Sequence, residues 1–187
     1  MWLTMKSELI ENYFLTIKQQ REEIFRRLED LTPEHLWQRP SAGRWSCGEW
    51  LEHLYRILRV QRLGIRIYIP LAFPFAYLFR DRPYATQAPD LYTEKPESMP
   101  GPAFPGLNPK HRSNNPIPLE QLKNKLFRET AALKKSLDME EAIAGQIRFW
   151  DGPYGWINLI QTVQIIGFHE ANDFKKVTGI IEEIGHN

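Results

Sequence analysis

Eleven of the fourteen prolines lie between Pro70 and Pro118, and no other feature restricts the fold as much. A proline has no backbone N–H, and its ring collides with the carbonyl four residues earlier. A regular helix or central strand is therefore not expected through that stretch. It reads as a long connection, and connections of this length are generally functional or mobile. Its first part, Leu71 to Phe79, is too apolar for water and is expected to pack over one end of a bundle or against a partner chain. Its later part, Asn108 to Pro116, is polar and reads as solvated.

Four amphipathic patterns flank this connection, and no stretch of four to eight residues alternates as a half-buried strand does. The first, about Ser7 to Asp30, sets Ile10, Phe14, Ile17, Ile24, Leu28 and Leu31 three, four or seven residues apart, one stripe of a 3.6-residue period. Thr32 as N-cap and Pro33 at the first helical position mark a short turn of helix after it. A second long helix opens at Ser46-Cys-Gly-Glu49, a capping box in which each side chain serves the other residue's backbone N–H. Trp50, His53, Ile57, Val60, Gly64 and Ile67 form one seam of it and Leu51, Leu54, Leu58 and Gln61 a neighbouring one. Pro70 predicts its end at Ile69. A third helix, Leu119 to about Asp138, aligns Leu119, Leu122, Leu126, Leu133 and Leu137. After a turn at Asp151-Gly-Pro-Tyr-Gly155, the fourth runs from Trp156 to about Glu183 along Leu159, Thr162, Ile166, His169, Asp173, Val177, Ile180 and Ile184. The expected fold is all-α: one domain over residues 1–187, a four-helix bundle with a long Pro-rich crossover connection, 70–118, between the second and third helices.

Composition narrows the functional classes. With 187 residues, 42% of them hydrophobic, and a formal charge of +1, the chain can bury a core and is not of the disordered type. The near-neutral balance argues against nucleic acid, whose binding rests on neutralising many phosphates. The strip Arg56, Arg59, Arg62 and Arg66 reads as a solvated helix face. Cys47 stands alone, so no intrachain disulfide can form. The start lacks the pattern of a signal peptide, and the most apolar stretch, Ile65 to Phe79, is interrupted by Arg66, Pro70 and Pro74, short of a membrane span. A cytoplasmic location, away from membranes, is the expectation.

Three ionisable residues, His53, His169 and Asp173, fall on core-facing seams among apolar neighbours. An unpartnered buried polar group costs about 1–3 kcal/mol and a lone charge more. A divalent cation would satisfy all three at once, since an i,i+4 pair on a helix presents both side chains to one point. Two imidazoles and a carboxylate would leave coordination positions open, as catalytic sites do. The same residues allow a plainer reading: His169 and Asp173 bonded to each other, Lys176 neutralising Asp173, and His53 an ordinary core histidine.

The stretches Leu31-Thr-Pro-Glu-His-Leu-Trp37 and Trp45-Ser46-Cys-Gly-Glu49-Trp50-Leu51-Glu-His53-Leu54 resemble the first motif of the DinB-like (damage-inducible) superfamily of metal-binding bundles. Gly155-Trp156 and His169-Glu-Ala-Asn-Asp173-Phe-Lys-Lys176-Val177 resemble its second. The resemblance implies a divalent metal, zinc or nickel first and iron or manganese next, held by His53, His169 and Asp173. Asp173 stands where the family usually has a third histidine, and Lys176 where it often has glutamine. A carboxylate is a harder, charged ligand, which bears on metal preference. Relatives of this shape include metal-dependent hydrolases and thiol S-transferases that use a low-molecular-weight thiol such as bacillithiol or mycothiol. A small-molecule substrate and a homodimer are what the resemblance suggests for partners. No catalytic base is identified: Glu49 and Glu170 are the nearest candidates. The alternative is a non-catalytic bundle that binds a ligand or partner around a vestigial site.

Around the three candidates, Glu49 lies one turn before His53 and could orient it, though its capping role suffices to explain it. Trp50 and Lys176 are expected at the pocket. Trp45, Trp150, Tyr154 and Trp156 gather near helix starts and are accounted for equally by core packing. Cys47, about 9 Å from His53 along the helix, is expected to be an ordinary buried thiol.

Overall fold

The computed structural model describes residues 7–41, 43–95, 106–110, 112 and 115–185. The start of the chain and the prolines at 96, 100, 102 and 105 lie outside them. The long helices are α1 (Glu8–Leu28), α3 (Cys47–Leu78), α5 (Leu119–Ser136) and α7 (Leu159–Gly185), with short helices α2 (Pro33–Trp37), α4 (Leu91–Glu94) and α6 (Glu141–Gln146) between them. The fold is an all-α helical bundle. A two-stranded antiparallel hairpin, β1 (Arg148–Asp151) and β2 (Gly155–Asn158), is the departure from an all-helical expectation. It pairs Trp150 with Trp156 across the strands. Gly152 and Gly155 take positive φ in its turn, a conformation that only glycine adopts without strain.

Contacts fix the directions of the helices. Arg21 of α1 bonds Glu170 of α7 and Arg27 bonds Thr178, so α1 and α7 run in parallel. Arg62 of α3 meets Glu129 of α5, and Lys125 lies over the ring of Tyr55, so α3 and α5 are parallel too. Cys47 lies by Val177, and His53 by Asp173, which sets α3 antiparallel to α7. Parallel neighbours cannot be joined by a tight turn. The chain must return the length of α3, about 48 Å, before α5 begins, and this is the work of the connection.

The apolar stripes close on one core: Ile10, Phe14, Ile17, Ile24 and Leu28 of α1, Leu51, Leu54 and Leu58 of α3, Leu122, Leu126 and Leu133 of α5, and Leu159, Val163, Ile166, Val177 and Ile180 of α7 are all buried. Of the two seams expected on α3, the leucine seam is the core one; Val60 and Ile67 face solvent. Capping set the helix starts. Ser46 and Glu49 form the expected box. Asn158 and Gln161 form a second, each side chain bonded to the other's backbone N–H, and it moves the start of α7 from Trp156 to Leu159.

Pro70 does not end α3, contrary to the expectation of a stop at Ile69. The helix continues through Pro70 and Pro74 to Leu78. Both prolines are exposed, so the bonds they remove lie on the outer side, where water can serve the freed carbonyls. Ile65 and Ala76 are buried on the inner side, with Ile69 and Ala72 packed against the core, and this burial outweighs the local penalty of proline. The Leu71 to Phe79 run is thus mostly helix. It does not cap the bundle: Leu71, Phe75 and Leu78 are about 70% exposed, at 68%, 68% and 71%.

The loop proper, from Phe79, is tied down along the bundle. Gln146 Nε2 donates to Arg82 O, Asn158 Nδ2 to Ala85 O and Gln161 Nε2 to Gln87 O, while Gln164 Oε1 accepts from Ala88 N. Further on, Arg112 bonds Glu52, and Ile117 O accepts from the indole of Trp37. The segment read as solvated therefore carries an ion pair to α3.

In α1 and α7, the core contains one ion pair. Arg21 and Glu170 are each 1% exposed and bonded through two N–H···O contacts, with Arg21 also donating to Thr130 of α5. Removing one member leaves the other charged and dry. Glu170→Ala is expected to cost about 3–5 kcal/mol in equilibrium urea unfolding, and a loss below about 1 kcal/mol would contradict a buried, obligatory pair.

Candidate functional site

His53 lies in the second turn of α3, where the Ser46–Glu49 box fixes the start of the helix. His169 and Asp173 are one turn apart on α7, so antiparallel packing brings all three together. One ligand atom from each lies within 4.8 Å of the others. His169 Nε2 is 3.2 Å and His53 Nε2 3.9 Å from Asp173 Oδ2. Ligand atoms of a tetrahedral cation at about 2.1 Å would be about 3.4 Å apart, so small shifts suffice to seat one. Tyr92 and Leu107, both from the connection, hold the outer nitrogens: Nδ1 of His169 is in a short hydrogen bond with the Tyr92 hydroxyl, and Nδ1 of His53 is 2.9 Å from Leu107 O.

Asp173 divides its oxygens. Oδ1 accepts from Lys176 Nζ at 3.1 Å, while Oδ2 and His169 Nε2 are buried and neither has a hydrogen-bond partner. Their 3.2 Å separation is close enough, but the ring N–H direction does not meet the oxygen, so this is proximity without a bond. The plainer reading by which Lys176 neutralises Asp173 holds for one oxygen, and the other is left facing two imidazoles. Burial alone would push the Asp173 carboxyl up, but His169, Lys176 and His53 outweigh it and hold it below the usual carboxylate range. Burial keeps the His53 imidazole below its ordinary value, outweighing the Leu107 carbonyl and Asp173, which raise it. A bare nitrogen and an ionised carboxylate are the forms that bind a cation.

The rim is aromatic and cationic. Trp45 and Trp50 pack on His53 with ring centroids at 5.1 and 6.0 Å, and the Lys176 ammonium lies 4.4 Å over the Trp50 ring. Trp150 and Trp156 are instead exposed on the hairpin. Tyr154 lies close enough to Tyr92 to act on it electrostatically. Its hydroxyl, like Asp90 Oδ1, is buried without a partner.

Neither candidate base is available. Glu170 faces α1 and is locked to Arg21. Glu49 accepts from both the Ser46 backbone and the Arg39 guanidinium, so it anchors the start of α3 and makes no bond to His53. Cys47 is fully buried, and burial raises its thiol to about 12, which leaves it inert. Of the arginine strip, Arg56 pairs with Glu52 and Arg62 with Glu129, while Arg59 and Arg66 are exposed as expected of a solvated face. Sequence reasoning missed Tyr92, Leu107 and Arg39. Arg21 left a trace: it fills the gap between Ile17 and Ile24 in an otherwise apolar stripe.

Burial raises Glu49, but Arg39 and the Ser46 N–H lower it further, for a net value below its ordinary one. A carboxylate depressed on folding contributes stability above its unfolded value, near about 4.3, and that contribution is lost as pH falls through the folded value. Glu49→Gln is therefore expected to be less stable than wild type at neutral pH, with the difference shrinking under acid in parallel unfolding curves. A constant difference across that range would show that the charge on Glu49 is not what matters.

Among the described residues, no helix is long and apolar enough to cross a membrane. No curated protein and no solved structure matches the chain. The family model of the DinB superfamily matches residues 16–173, a span that takes in the first motif, the second as far as Asp173, and all three convergent side chains. The chain belongs to the DinB superfamily.

Proposed function

We propose that His53, His169 and Asp173 hold one divalent cation, and that the protein is a metal-dependent enzyme of the thiol S-transferase or hydrolase type. The observation that carries this is the orphaned pair, His169 Nε2 and Asp173 Oδ2. Two buried polar atoms 3.2 Å apart and without a hydrogen-bond partner are costly, and a cation would remove the cost for both. Two nitrogens and one oxygen suit zinc or nickel, with iron or manganese next. A cation bound there would supply Lewis acidity and lower the pKa of a water or thiol brought to it.

The residues present do the rest. His53 and His169 offer neutral nitrogens, and Asp173 offers one charged oxygen. Lys176, 45% exposed, stands at the rim, where its ammonium can meet an anionic group of a small-molecule substrate. Trp45 and Trp50 pack on the His53 imidazole from the α3 side. The two carboxylates named as candidate bases, Glu49 and Glu170, are both taken up by arginines, which favours thiol transfer, where the thiolate is itself the nucleophile, over hydrolysis.

Elemental mass spectrometry of untagged protein tests the site. About one equivalent of metal is expected in wild type, lost in His53→Ala and in Asp173→Ala. Unchanged metal content in both variants would sink the assignment. Screening of thiol-transfer and hydrolase substrates on the loaded protein then separates the two reaction types.

The outer face of α3 favours one addition, a homodimer. Val60, Leu63, Ile67, Leu71, Phe75 and Leu78 recur at helical spacing, each at least 40% exposed, an apolar ridge of a kind monomers seldom leave in water. Sedimentation analysis should give twice the chain mass for wild type, and the monomer for Leu71→Glu with Phe75→Glu.

A further inference from the structure

We propose that Tyr92, on the connection, is a positioning residue of this site: its hydroxyl accepts from His169 Nδ1–H and so fixes the imidazole with its bare Nε2 toward Asp173 and His53. The inference rests on the metal reading above. It starts from the two outer nitrogens, because an imidazole can bind a cation through Nε2 only if the proton sits on Nδ1. For His53 the matter is settled by its partner. Leu107 O is a carbonyl and only accepts, so Nδ1 carries the proton and Nε2 is bare.

For His169 the partner is a hydroxyl, which can donate or accept. The inner side decides. Were the proton on Nε2, Asp173 Oδ2, 3.2 Å away, would be its natural acceptor, and neither atom has a hydrogen-bond partner. Placing the proton on Nδ1, donated to Tyr92, leaves Nε2 bare beside Asp173 Oδ2, the form in which both atoms can hold a cation.

The placement of Tyr92 is itself built. Residues 82–88 are tied to α6 and α7 by Gln146, Asn158, Gln161 and Gln164. The turn that follows closes with Thr93 Oγ1 on Asp90 Oδ2 and with Leu91 buried. The Tyr92 ring then stands edge-on to His169, centroids 5.5 Å apart. The connection thus supplies the outer partner of both imidazoles, one by a side chain and one by its backbone.

Tyr92→Phe keeps the ring and removes only the hydroxyl. Two measurements test it, one without metal. In nitrogen-15 NMR of histidine-labelled, metal-free protein in mildly alkaline buffer, His169 of wild type should show the Nδ1–H tautomer, and Tyr92→Phe should shift it toward Nε2–H. In titration with zinc, and with cobalt as a coloured probe, the variant should bind about 10- to 100-fold more weakly with an altered cobalt spectrum, while its unfolding midpoint stays close to wild type. An Nε2–H tautomer in wild type overturns the proposal. So does a variant that keeps both the tautomer and the affinity. If wild type binds no metal at all, the metal reading fails, and the tautomer shift still judges the role of Tyr92.

Discussion

The parallel packing of α3 against α5 is the constraint from which most of the structure follows. Two sequential helices in the same direction need a connection that travels back along the bundle, and here that return passes over the junction of α3 and α7. The proline content suits the task, since an extended chain without regular hydrogen bonding can follow a surface and take its bonds from side chains. Three amides near the start of α7 provide them at Ala85, Gln87 and Ala88. A segment required by topology is in this way brought over the candidate metal ligands, where it can also serve them.

The rest of the bundle keeps its polar groups in pairs that face away from the site. Arg21 and Glu170 bridge α1 and α7, Arg62 and Glu129 bridge α3 and α5, and Arg39 fastens Glu49 at the start of α3. Each is a buried or half-buried charge with its partner in hydrogen-bond contact. Against that background the triad stands apart. Its members approach closely, but His169 Nε2 and Asp173 Oδ2 have no hydrogen-bond partner, and that oxygen faces two imidazoles.

Periodicity was enough to read the four long helices, and caps marked some starts well: Ser46 with Glu49, and Thr32 with Pro33. The end of α3 was misread because proline acts locally while the inner face of Ile65, Ile69, Ala72 and Ala76 acts through tertiary burial, which no window of sequence contains. The hairpin escaped notice since its strands are four residues each, too short for a pattern. His53, His169 and Asp173 were legible because each interrupts an apolar seam. The gaps at Arg21 and Glu129 were legible by the same logic, as interruptions of the α1 and α5 stripes, but a gap names no partner. Tyr92 and Leu107 had no signal at all, because they lie in an aperiodic stretch and meet the site only through the path of the chain.

The exchange of a histidine for Asp173, relative to the pattern this family suggests, is best understood together with Lys176. A carboxylate in a dry site carries a desolvation cost that a neutral imidazole does not. Lys176, three residues on along the same helix, offsets that cost at Oδ1 without occupying Oδ2. The ammonium also rests over the Trp50 ring, so it has a second place to sit if the charge balance changes. A cation held at Oδ2 would share the carboxylate with Lys176, which would then be held less tightly. An anionic substrate group arriving at the rim would then find an exposed ammonium beside the cation. On the metal reading proposed above, a charged ligand and its counter-ion would lie side by side on one helix, Lys176 at Oδ1 and the cation at Oδ2.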